Sequence, residues 1–90
     1  MATEPNEIVM FARERFCPDV TRARTRLTEL GIPWREFDVE SDPAAAQENQ
    51  RLTGRSNVPT LVIGERILVE PSRSQIDDAL TAAGFDISEE

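Results

Sequence analysis

Apolar positions along this chain follow two different periods, and the switches between them mark the elements. Ile8, Val9, Met10 and Phe11 form an unbroken apolar run. Such a run suits a central strand covered on both faces, so residues 7–12 are read as the first strand. From Pro18 the spacing changes. Val20, Ala23, Leu27 and Leu30 fall at i, i+3, i+7 and i+10, one face of a 3.6-residue period. This predicts a helix over residues 18–30 with Val20 facing inward and Gly31 just past its end. Residues 34–39 read as a second strand with Phe37 and Val39 on one face. Ser41-Asp42-Pro43 supplies a capping side chain and then a proline at the first helical position, starting a weakly amphipathic helix over Pro43–Thr53 (Ala45, Leu52) that closes at Gly54.

Two β-rich runs follow, Thr60–Ile63 and Arg66–Val69, around Gly64-Glu65. A two-residue loop with glycine first suits a type II′ hairpin. Ser72-Arg73-Ser74-Gln75 has the capping-box pattern. Its helix is expected to bury Ile76, Ala79, Leu80 and Ala83 and to stop at Gly84, leaving residues 86–90 as a frayed acidic tail. The order is β-α-β-α-β-β-α: an α/β fold with a four-stranded mixed sheet flanked by three helices. The first half is a parallel βαβ unit and the second adds an antiparallel hairpin. One domain is expected over residues 1–90, with its core at about residues 7–85.

Charge and composition narrow the function. The net charge is −7, and all ten basic residues are arginines, with no lysine and no histidine. An acidic chain repels nucleic acid, so that partner is not expected. Arg22, Arg24 and Arg26 read as a solvated helix face. No apolar run approaches the roughly 20 residues of a membrane span, and the first residues lack the basic-then-apolar pattern of a signal peptide. A cytoplasmic protein is expected. Without histidine, Ser-His and Cys-His catalysis within one chain is excluded. With one cysteine, so are Cys₂His₂ and Cys₄ zinc sites and any internal disulfide. No metal is expected.

That one cysteine, Cys17, lies between the first strand and the first helix. There the unpaired N–H groups and the helix dipole stabilise a thiolate. Pro18 suits the first helical turn, which puts Cys17 near the N-cap and predicts a partly exposed sulfur. Arg13 and Arg15 favour a thiolate while Glu14 and Asp19 oppose it. The alternative is a buried free cysteine acting as a small hydrophobe. Val20 stands where a Cys-x-x-Cys pair would have its second thiol.

The element order, a thiol after the first strand, and Val58-Pro59 before the third strand together resemble the glutaredoxin family of the thioredoxin fold. Phe11-Ala12-Arg13 is similar to the end of that family's first strand, the segment from Ile32 to Val39 to its second strand, and Gly54-Arg55-Ser56-Asn57-Val58-Pro59 to the approach to its cis-proline. The resemblance implies that Cys17 is the nucleophile and that Pro59 is a cis-proline facing it. It also implies that the backbone of Val58 pairs with an extended thiol, and that Arg13 and Arg55, with Arg15, orient substrate carboxylates. The sequence departs from the family at three places. Val20 replaces the resolving cysteine, one extra residue separates Arg13 from Cys17, and Val69-Glu70-Pro71-Ser72-Arg73 replaces a glycine-rich segment. This last run resembles mycoredoxins and adds Ser72 and Arg73 to the expected thiol-binding residues.

The resemblance therefore implies a monothiol thiol-disulfide oxidoreductase acting on mixed disulfides of proteins with a low-molecular-weight thiol. Glutathione or mycothiol would be co-substrate, with no tightly bound cofactor. Oxidised or thiolated proteins would be partners of a monomeric enzyme in cell redox homeostasis. Two alternatives stand beside it: a non-catalytic binding module on the same fold, and an iron–sulfur cluster scaffold, whose Cys-Gly-Phe-Ser motif Pro18, Asp19 and Val20 do not match.

Overall fold

The computed structural model describes residues 7–87. Strand β1 (Ile8–Ala12) leads into helix α1 (Pro18–Glu29), followed by β2 (Arg35–Asp38), α2 (Pro43–Thr53), β3 (Thr60–Ile63), β4 (Arg66–Val69) and α3 (Arg73–Ala82). The four strands form one sheet in the order β2-β1-β3-β4. β1 runs parallel to β2 and antiparallel to β3, and β4 pairs antiparallel with β3. The second strand is shorter than expected: Trp34 lies outside it, and its indole N–H donates to Glu36 Oε1 at 3.0 Å.

Register follows from which side chains must be dry. Ile8 lies opposite Ile63 and Met10 opposite Leu61. These four side chains join Val20, Ala23 and Leu27 of α1 and Ile76, Ala79 and Leu80 of α3 in one buried cluster. The alternate positions point the other way, toward α2. Val9 faces Val62, and Phe11 stacks on Phe37 with ring centroids 5.8 Å apart. A one-residue slip of β1 would exchange the two sets of side chains, which fixes its pairing. Each fully buried Leu or Ile contributes roughly 1.5–3 kcal/mol relative to an exposed one.

The helix ends are closed by local chemistry. Gly31, at φ +68°, and Gly84, at φ +96°, take left-handed conformations that a side chain would disfavour. At the first, the N–H of Gly31 bonds the Thr28 carbonyl and that of Ile32 the Leu27 carbonyl. At the second, Gly84 bonds Thr81 and Phe85 bonds Leu80 in the same pattern. Both are Schellman ends, with an apolar residue folded back onto the last turn. In the hairpin, Gly64 is left-handed at φ +60° and Glu65 is not, as a type II′ turn requires. Of the tail expected to fray, residues 88–90 lie outside the described residues.

The arginines of α1 do not form one solvated face. Arg22 pairs with Asp19, and Arg24 pairs with Glu36 on β2. Arg26 is only 5% exposed. Its guanidinium forks onto Asp77 of α3 at 2.7 and 3.0 Å and reaches Glu29 at 3.2 Å. Position 26 lies next to the inward stripe, so α3 covers it and the charge requires a buried partner. Replacing Asp77 by alanine should therefore lower stability by about 2 kcal/mol. That is less than the 3–5 kcal/mol of a fully orphaned buried charge, because Glu29 remains. Arg22→Ala, which cuts an exposed pair, should cost roughly 0.5 kcal/mol or less. Urea unfolding of the two variants measures the contrast.

Candidate functional site

Cys17 is the N-cap of α1, in an extended conformation (φ −151°, ψ 116°), and its carbonyl accepts the Thr21 N–H at 2.9 Å. Pro18 occupies the first helical turn as the sequence suggests. The other two helices are capped by side chains. Asp42 accepts the N–H groups of Ala44 and Ala45, and Ser72 and Gln75 complete a capping box. At α1 no side chain caps the first turn, and a thiol stands where the capping oxygen would be. The N–H groups there are disposed toward an anion.

The sulfur is less open than expected. Cys17 is 6% exposed and belongs to the buried cluster that holds Ala12, Val20 and Val58. A first-turn position predicts exposure only when nothing packs on it. Here Val58, from the far side of α2, shares the same dry cluster. Val20, at 0% exposure, is inward as its spacing implies.

The Val58–Pro59 peptide is cis, and both residues are buried. Contacts that the sequence reading did not foresee hold this segment. Asn49, on α2, is buried and donates through Nδ2 to the Asn57 carbonyl at 3.0 Å. Asn57 Nδ2 donates to Glu70 Oε1 at 3.0 Å, and the Glu70 N–H bonds the Pro59 carbonyl at 2.8 Å. Glu70 itself is left-handed (φ +50°), unusual for a residue with a side chain. Asn49 had a legible signal, since it lies on the same helical stripe as Ala45 and Leu52. Glu70 had none.

The expected basic positions divide. Arg13 is half-buried, and its Nε is buried without a hydrogen-bond partner among the described residues. Arg55 is exposed next to the cis-proline segment, with its backbone N–H held by Thr53 Oγ1. Arg15 is engaged by Glu40 at 2.8 Å, Arg73 lies 3.8 Å from Glu29, and the Ser72 hydroxyl is committed to its cap.

Arg24, read from sequence as surface, belongs here instead. Its Nη2 reaches the Arg13 carbonyl at 3.4 Å and so braces the loop that carries Cys17. The hydrogen bond to Glu36 is the main cause holding the Arg24 pKa above its ordinary value; burial works against it and the charge of Glu36 adds to it.

A groove of about 380 Å³ is lined by Phe16 and Pro18, the two chain neighbours of Cys17, and by the outer side of α1. A larger one of about 750 Å³, between α2 and the Val9–Val62 side of the sheet, contains none of the expected site residues.

A central β1 between a parallel and an antiparallel neighbour, a cysteine capping the following helix, and a cis-proline before β3 define a thioredoxin-like fold with a thiol site. The glutaredoxin family model matches residues 8–68, and the chain belongs to the glutaredoxin family. Among solved structures it is similar to a glutaredoxin from Archaeoglobus fulgidus, at 15% identity over 83% of this chain and 86% of that one, with a TM-score of 0.74. It is also similar to a glutaredoxin from Brucella melitensis (25% identity, 88% and 82% covered, TM-score 0.60). A third is the buckwheat glutaredoxin–glutathione complex (19% identity, 87% and 76% covered, TM-score 0.67). No curated protein sequence matches the chain. Family and fold support thiol–disulfide oxidoreduction as its kind of chemistry. Among the described residues no helix is long and apolar enough to cross a membrane.

Two outcomes follow from this geometry. The hydrogen bond from Arg24 holds the Glu36 carboxyl below its ordinary value of 4.5. A depressed carboxyl stabilises the fold above its unfolded pKa and loses that contribution as pH falls through the folded value. Arg24→Gln should thus lower stability by about 1 kcal/mol at pH 7 and by much less at pH 3, since the pair is part-exposed. Urea titrations at the two pH values measure it. Val20→Cys should close an internal disulfide with Cys17 on mild oxidation, at a stability cost of roughly 1 kcal/mol for a similar-sized buried side chain. Mass spectrometry after oxidation reads the loss of two hydrogens, and two titratable thiols would contradict it.

Proposed function

We propose that this protein reduces mixed disulfides between proteins and a low-molecular-weight thiol, with Cys17 as its only redox sulfur. The observation that carries this is a lone thiol at the side-chain-free N-cap of α1, with a buried valine in place of a second cysteine. The Cys17 thiolate attacks the small-thiol sulfur of the mixed disulfide. A new Cys17–small-thiol S–S bond forms, the S–S bond between the small thiol and the protein sulfur breaks, and the protein thiolate leaves and takes a proton from solvent. A second small-thiol thiolate then attacks the sulfur attached to Cys17. The product is the small thiol's symmetric disulfide, so the disulfide bond has passed from the target protein to the small thiol, and Cys17 is a thiolate again.

The remaining residues bind and orient. The Val58 backbone beside Pro59 pairs with the extended thiol. Arg13 and Arg55 take its carboxylates, with Arg73 and the start of α3 at its other end and Arg15 at the rim. Glutathione is one co-substrate class, supported by the glutathione-bound buckwheat neighbour. Mycothiol is the other, supported by Val69-Glu70-Pro71-Ser72-Arg73 in place of a glycine-rich segment. The protein works as a single-domain monomer in the cytoplasm.

One observation favours a second reading. A cysteine only 6% exposed is also what a non-catalytic binding module would keep. Glutathionylated and mycothiolated forms of one protein substrate, incubated with the matching free thiol, separate the two. Wild type should release the protein thiol from one form faster than Cys17→Ser, whose rate should equal that without protein. Equal rates for wild type and variant on both forms, with Cys17 resisting alkylation until the chain unfolds, would establish the binding module.

A further inference from the structure

Phe16 stands immediately before Cys17 and is 79% exposed, whereas Cys17 is almost covered. A large aromatic side chain left in water contributes nothing to the core, and this one both adjoins Cys17 in the chain and lines a groove. It opens onto the groove on the outer side of α1, where Pro18, Thr21 and Thr25 continue the apolar floor. Thr21 and Thr25 are one turn apart and both line it. From Pro18 to Glu29 the helix extends about 16 Å, enough to lie beside about five residues of extended chain.

The rim is the reverse of the whole molecule. In a chain of seventeen acidic and ten basic residues, this groove is lined by Arg22, Arg26 and Arg73 against a single acid, Glu29. Arg26, fixed on Asp77, supplies field more than contact. Among the described residues Arg22 pairs with Asp19, in a pair exposed on both sides. Such pairs are worth little and exchange readily for a better-placed carboxylate. None of the lining residues belongs to the Val58–Pro59 segment. Apart from Arg73, the groove shares no residue with the place assigned above to the small thiol.

We infer that this groove docks the polypeptide half of the mixed disulfide, seating an apolar side chain of the target on Phe16 and an acidic residue near Arg22. This rests on the assignment of Cys17 as the nucleophile. In the exchange step the leaving protein sulfur lies beyond the attacked one, so the residues flanking the target cysteine fall over the surroundings of Cys17. A slim polar thiol does not need an exposed phenyl ring; a peptide with an apolar residue next to its cysteine does.

The test compares three substrates carrying the same small thiol: a peptide with leucine and glutamate flanking its cysteine, the same peptide with lysine for glutamate, and free cysteine. Wild type should prefer the acidic peptide over the lysine peptide, less so at high salt. Phe16→Ala should lower kcat/KM on the acidic peptide about tenfold, through KM, and leave free cysteine within about twofold. Equal losses on peptide and free cysteine, or none on either, would overturn the inference. If wild type turns over no substrate at all, the assignment of Cys17 fails first. Peptide titration onto Cys17→Ser, with and without Phe16→Ala, then decides the groove separately: weakened binding in the double variant supports it, and equal or absent binding refutes it.

Discussion

The structure depends on β1 being paired on both edges and buried along its length except at half-buried Val9. Its four consecutive apolar residues admit no other position in the sheet, and the cross-strand pairs Ile8–Ile63 and Met10–Leu61 lock its register. The chain leaves that strand at Ala12 and must begin α1 by Pro18, because Val20, Ala23 and Leu27 have to reach the same core. Cys17 falls at the junction of these two requirements. Its placement is a consequence of burial on either side of it.

Electrostatics then refines what burial sets up. With no lysine, every cation here is a planar fork able to grip a carboxylate with two bonds. Arg26 uses this to join α1 to α3, and Arg24 to join α1 to β2 while bracing the loop before Cys17. Arg13 is different: its Nε is buried without a partner among the described residues. A guanidinium with a buried N–H left unpartnered suits an anionic ligand, in keeping with the proposed binding of a thiol that carries carboxylates.

Local signals made most of this fold legible before any coordinates. Pro43 after Asp42 and the Ser72–Gln75 box act within one turn, and Gly64 acts within one hairpin, so α2, β3, β4 and the start of α3 were readable to the residue, while Ala83, expected on the buried stripe of α3, is its half-buried C-cap. The cis Val58–Pro59 bond came from resemblance, not from local preference, which favours trans. What escaped is set by contacts far apart in sequence. The cover over Cys17 involves Val58, Arg26 is buried only because Asp77 arrives on α3, and the Asn57–Glu70 bond joins two loops. Asn49 could have been suspected from its helical stripe. The left-handed Glu70 could not, since nothing in its own sequence demands that conformation.

The central claim is that Cys17 accepts the small thiol and releases the protein. Rapid acid quenching during turnover, followed by intact-mass analysis, tests it most directly. The account predicts a transient species heavier by one small thiol per chain, mapped to Cys17 and discharged when more free thiol is added. A quenched chain that carries the target protein, or that stays unmodified while the substrate is reduced, would contradict it.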